Sequence, residues 1–70
     1  MENEKVLNEK SYEEVKKGIS FSGNMVSIIG ERTVELDDGR IIDQYIYNID
    51  GYEAKNGKPF VSLKDNIYLV

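Results

Sequence analysis

The stretch Arg32 to Asn48, RTVELDDGRIIDQYIYN, constrains this chain more than any other. Two runs rich in β-branched and aromatic residues flank Asp38-Gly39, a dipeptide suited to the tight turn of a two-stranded hairpin. A second signal of the same kind, Asn56-Gly57, lies between Tyr52-Glu53-Ala54 and Phe60-Val61-Ser62-Leu63. Two hairpins in 70 residues make most of the chain a small antiparallel sheet.

The rest of the pattern extends that sheet. Ile19-Ser20-Phe21-Ser22 alternates apolar and polar, as a half-buried strand does. Gly23-Asn24 is a turn or a bulge, Met25 to Ile29 is the next strand, Gly30-Glu31 closes it, and Thr33 to Leu36 follows. Ile41 to Ile49 is the longest strand. One of its faces carries Ile41, Asp43, Tyr45, Tyr47 and Ile49, the other Ile42, Gln44, Ile46 and Asn48. Apolar groups on both faces suit a curved sheet, a small barrel or a subunit interface. Short strands are expected at Tyr52 to Ala54, Phe60 to Leu63 and Ile67 to Val70, with Pro59 at a strand start and Lys64-Asp65-Asn66 as a turn. Four apolar residues, Ile67 to Val70, form a strand that must be paired and covered, within the monomer or by another copy.

The N-terminal segment reads differently. Residues 1–10 are polar apart from Val6 and Leu7 and are expected to fray. Ser11-Tyr12-Glu13-Glu14 has the form of a capping box. Lys16 and Lys17 suit the negative end of a helix dipole, and Gly18 is a stop signal. These predict a helix of about two turns, Ser11 to Lys17, with Tyr12 and Val15 packed on the sheet. The expected fold class is therefore α+β: a single domain over 1–70, with a short N-terminal helix on a strongly bent antiparallel sheet of about five strands. SH3-like, Sm-like and OB-like small barrels share that build. The likeness is one of architecture alone, since the sequence carries signature residues of none of them.

Composition excludes much chemistry. The chain has no cysteine and no histidine, so thiolate or histidine zinc sites, disulfides and histidine-based nucleophile systems are ruled out. Gly51 to Lys58, GYEAKNGK, is one residue too long for a phosphate loop and meets Pro59 where Ser or Thr is needed. Asn48 to Gly51 resembles the middle of a calcium loop, but Ile46 and Gly57 occupy its first and last ligand positions. Adjacent Asp37 and Asp38 point apart and suit turn amides better than a shared metal. No metal, cofactor or catalytic group is expected, and the chain reads as non-enzymatic.

The net charge is −4, and from Glu31 to Glu53 seven acids face two arginines. Such a middle repels a phosphate backbone and attracts a basic protein surface, or it serves solubility alone. Five tyrosines add amphipathic groups of the kind enriched in hot spots, though tyrosine is also an ordinary strand residue. The candidate partner-binding residues are Asp37, Asp38, Arg40, Asp43, Tyr45 and Tyr47. Tyr45 and Tyr47 serve equally as core or interface, and Arg40 is expected to pair with Asp37 or Asp38.

The function expected from these features is a protein-binding module, an accessory or inhibitory factor of bacterial or phage origin that meets a basic surface. A nucleotide or small-ligand binder with a pocket between subunits is the alternative. A nucleic-acid-binding barrel is a third reading, opposed by charge. A homo-oligomer is expected, since a core this small needs support. No apolar run reaches membrane-span length, and a cytoplasmic location is expected.

Overall fold

The computed structural model describes residues 4–53 and 56–70. Five strands form one antiparallel sheet: β1 (Lys5–Ser20), β2 (Met25–Glu35), β3 (Ile41–Ile49), β4 (Phe60–Leu63) and β5 (Ile67–Leu69). Their order is β4-β3-β2-β1-β5, and one 3₁₀ turn, Lys64–Asn66, links β4 to β5 at opposite edges. That link is short, so the sheet has to curl until its two edges approach. The result is a half-barrel.

The α+β expectation is overturned, because the described residues contain no α-helix. Ser11 to Lys17 lies inside β1, a strand of 16 residues. Lys5 to Lys10, expected to fray, belongs to the same strand, and Glu4 holds Arg32 with Nη2 to Oε2 at 3.1 Å. The physical reason is tertiary. β1 pairs with β2 over Lys5 to Ser11 and again over Lys16 to Ile19, and Gly18 to Ser20 pair with β5 as well. A two-turn helix with one small apolar face cannot match that many backbone hydrogen bonds. The helix-prone residues do leave a trace. Ser11 opposes Gly30 and Lys16 opposes Ile28, so Tyr12 to Val15 all face the single residue Ile29 as a wide bulge. Tyr12 is half-buried against the core, whereas Val15 is exposed.

Ile29 is also the extra residue between β2 and β3, where Ile28 opposes Tyr47 and Gly30 opposes Ile46. The two bulges meet at one point and bend β2 there. Met25–Ile29 and Thr33–Leu36, expected as separate strands, are thus joined in one bent strand, which ends at Glu35. Gly30 permits the bend: a Cβ at this position would lie 2.5 Å from the Lys10 carbonyl oxygen. Gly18 does the same at the β1–β5 crossing, where a Cβ would lie 2.9 Å from the Tyr68 carbonyl oxygen.

The concave face holds the core. Val26, Ile28, Tyr47 and Ile67 are buried together, with Tyr12, Tyr45, Ile49 and Phe60 packed against them. Val34 and Leu36 are buried apart from this cluster. The chain turns at Gly23 and Gly39, which take positive φ, 91° and 86°; the turn expected at Asp38-Gly39 is present, and of the turn or bulge expected at Gly23-Asn24 it is the turn that forms. Asn56-Gly57 is a turn too, with the Lys58 amide donating to Asn56 Oδ1 at 2.9 Å, but it does not join two paired strands. β4 pairs with β3 instead. Tyr52 and Glu53 are not in a strand, and Ala54 lies outside the described residues. Ile67 is buried and β5 is paired, but Tyr68, Leu69 and Val70 remain exposed rather than covered.

Gly30→Ala is expected to destabilise the fold by about 2 kcal/mol, since backbone atoms cannot yield as a side chain would. In a chain this small that lowers the melting temperature by roughly 8–16 °C. Thermal unfolding followed by circular dichroism checks it, with exposed Glu13→Ala as the near-neutral control.

Candidate functional site

Two groups of the expected site residues occupy separate places. Asp37, Asp38 and Arg40 form the exposed β2–β3 turn. The Arg40 amide and Nε both donate to Asp38, at 3.1 and 2.6 Å. These bonds, led by the one from the Arg40 amide, hold the Asp38 carboxyl below its ordinary range. The arginine is thereby tied within the turn, as its position next to two acids suggests.

Asp43, Tyr45 and Tyr47 do share one face of β3, and it is the concave one. Asp43 is exposed at its outer end and accepts from Thr33 Oγ1 at 2.8 Å. Tyr45 is half-buried. Tyr47 is only 8% exposed, stacks on Phe60 at 5.9 Å between ring centroids, and shares a 2.8 Å hydrogen bond with Ser62 Oγ. Of the two roles open to it, the structure places Tyr47 in the core. From Ile41 to Tyr47 the strand runs about 20 Å, so the acidic turn and Tyr47 cannot serve one small contact.

The sequence reading missed a polar cluster at the mouth of the half-barrel. Lys64, on the 3₁₀ turn, donates to Glu31 in the middle of β2, and its ammonium sits 5.2 Å from the centre of the Tyr45 ring. Tyr12 stands alongside, with the Lys16 ammonium 4.6 Å over its own ring. Partial burial, then the neighbouring Glu31 charge, pushes the Tyr12 phenol up. The hydrogen bond from Lys64 draws the Glu31 carboxyl down, and the same bond raises Lys64. Nothing local marks this pair, because its members are 33 positions apart. A comparable tie joins Lys17 to Asp50 at 2.8 Å, with Ser27 donating to the same carboxylate at 2.6 Å.

Three shallow grooves flank these features. One of about 540 Å³ follows the β1 bulge past Tyr12 and Glu31. A second, about 440 Å³, lies beside Ile49, Tyr52 and Phe60, where Tyr52 and Phe60 are 5.8 Å apart. The third, about 350 Å³, runs between Ile41 to Asp43 and Leu63 to Asp65. On the convex face, Met25, Ile19 and Tyr68 form a cross-strand row of exposed apolar side chains. Among the described residues, no three carboxylates come together in a way that could hold a metal ion. No family model, curated protein or solved structure matches the chain.

Tyr47→Phe is expected to keep the fold and cost about 1 kcal/mol, because Ser62 loses its partner in a half-buried place. Tyr47→Ala, which empties the centre of the core, costs about 3–5 kcal/mol. Urea unfolding of the two variants distinguishes these outcomes.

The Glu31–Lys64 pair also sets a pH dependence. The lowered Glu31 carboxyl contributes stability above its unfolded pKa, and that contribution is lost as pH falls through the folded one. The raised Lys64 contributes below its unfolded pKa and loses that contribution as pH rises through the folded value. Glu31→Gln is expected to shrink both limbs of a melting-temperature profile. An acid limb remains from Asp38 and Asp50, both also lowered, the latter chiefly by the Lys17 hydrogen bond.

Proposed function

We propose that this chain is a small, non-enzymatic protein-binding module that meets a partner protein through a basic surface on that partner. The observation that carries the reading is the acidic hairpin tip. Asp37, Asp38 and Asp43 are all exposed, and Arg40, the cation beside them, is occupied by Asp38. A negative tip on a rigid hairpin steers a basic surface and fixes its orientation. An accessory or inhibitory factor of bacterial or phage origin, acting in the cytoplasm, is the role this reading assigns. Self-association belongs to it as well. The apolar row Met25–Ile19–Tyr68 is a continuous patch rather than scattered single residues, and a second copy would cover it. No helix among the described residues is long and apolar enough to cross a membrane.

A second reading has one observation in its favour. Phe60 and Tyr52, whose rings lie 5.8 Å apart, border the groove beside Asn24 and Asp50, so a flat ring such as a nucleobase could stack on the exposed face of Tyr52. A melting temperature raised several degrees by nucleotides, and unmoved by polymeric DNA, would favour it.

The primary reading is tested by capture of a host protein on immobilised chain. Asp37→Lys with Asp38→Lys is expected to reduce capture at least tenfold and to leave the circular dichroism spectrum unchanged, since the ion pair it removes is exposed. Unchanged capture removes the acidic tip from the interface.

A further inference from the structure

β3 is flanked unevenly. β2 pairs with it from Ile41 to Ile49, but on the other side β4 pairs only with Gln44 to Tyr47. The chain leaves the sheet after Leu63 and enters the 3₁₀ turn. Among the described residues, no strand therefore lies beside Ile41 to Asp43 on that side. An open strand edge presents unpaired amide and carbonyl groups, which makes it a template for another extended chain.

The surroundings of this edge specify what such a chain would carry. The groove of about 350 Å³ occupies the place where β4 would have continued. Ile42 and Leu63 line it from the same face, Ile42 half-buried and Leu63 42% exposed, enough to receive one apolar side chain. Its polar lining is Asp43, Asp65 and Lys64. The Lys64 ammonium is engaged by Glu31 and lies over the Tyr45 ring. The groove therefore faces solvent with two carboxylates, and the Asp37-Asp38 turn precedes it in the chain. The other long open edge, Lys5 to Lys16 of β1, is a poorer template. Two register breaks distort it and Lys5, Lys10 and Lys16 stand along it, both features that blunt strand edges.

We propose that the open edge of β3 at Ile41–Asp43 takes up an extended, basic peptide segment of a partner protein, which pairs there as a continuation of β4. Strand alternation then sets an apolar side chain of the peptide on Ile42 and Leu63, which share a face, and turns its lysine or arginine neighbours to the opposite face, where Asp43 lies, with Asp65 lining the same groove. This inference rests on the protein-binding reading above and adds the conformation and chemistry of what is bound.

The test uses the ¹⁵N-labelled full chain and a capped hexapeptide of alternating lysine and valine. The expected result is a dissociation constant on the order of 0.1–1 mM, the range of a short strand with one seated side chain. Shifts centre on the amides of Ile41 to Asp43 and Leu63, and amide exchange slows at the edge. Asp43→Asn with Asp65→Asn weakens binding roughly fivefold, the amount two exposed ion pairs supply. N-methylation of alternate peptide amides abolishes it. Shifts centred elsewhere, shifts spread evenly over the acidic surface, equal binding by the N-methylated peptide, equal affinity in the double variant, or no shift at millimolar peptide would each overturn the proposal. Loss of the edge with capture still dependent on Asp37 and Asp38 leaves the general reading standing. A peptide seated at the edge with capture indifferent to those two acids does the reverse.

Discussion

The close approach of β1 to β2 at Gly30 sets the shape of the molecule. The Lys10 carbonyl oxygen sits where any side chain at position 30 would begin. Immediately before it, Ile29 is without a ladder partner on either side of β2: it is the extra residue against β3, and it faces the four bulged residues Tyr12 to Val15 of β1. A central strand that bends at one point forces both neighbours to bend with it, and the outer strands then swing toward each other. The curl follows, and so does the concave core, because only a curled sheet of this size can set Ile67 of β5 against Tyr47 of β3.

The curl is not closed by a ladder. β4 and β5 stand at opposite ends of the strand order and are joined through the 3₁₀ turn alone. What holds that turn in place is side-chain and isolated backbone bonding: Lys64 reaches across the mouth to Glu31, and the Phe21 amide donates to the Asn66 carbonyl at 2.8 Å. A barrel held this way keeps open edges, on β1 and at the outer end of β3. The same feature that limits the core, the shortness of β4, leaves a strand edge beside an acidic groove. The small core and the open edge are therefore two consequences of one geometry. Engaging Lys64 with Glu31 also leaves the carboxylates of the groove facing solvent.

What could be read from the sequence was local. β3 and β4 run over the residues their patterns mark, because alternation and turn glycines act over a few positions. The common face of Asp43, Tyr45 and Tyr47 followed from the same alternation. Which face points inward did not, since Ile42 and Ile46 make the opposite face apolar too; the curl decides it. The segment Ser11 to Lys17 misled for a physical reason. A capping box and matched end charges favour a helix by small amounts each, whereas pairing with β2 and β5 supplies hydrogen bonds that no local pattern announces. The Glu31–Lys64 tie and the empty place beside Ile41 are likewise products of distant strands meeting.

Ser11 to Lys17 is extended and bulged against β2, and the sheet curls about Gly30. Nuclear Overhauser contacts in the labelled full chain test it most directly. Strong sequential Hα–amide contacts are expected through β1, with cross-strand contacts linking Lys10 to Glu31 and Lys16 to Ile28. A run of contacts between residues three apart from Ser11 to Lys17, with no cross-strand contact to β2, would contradict it.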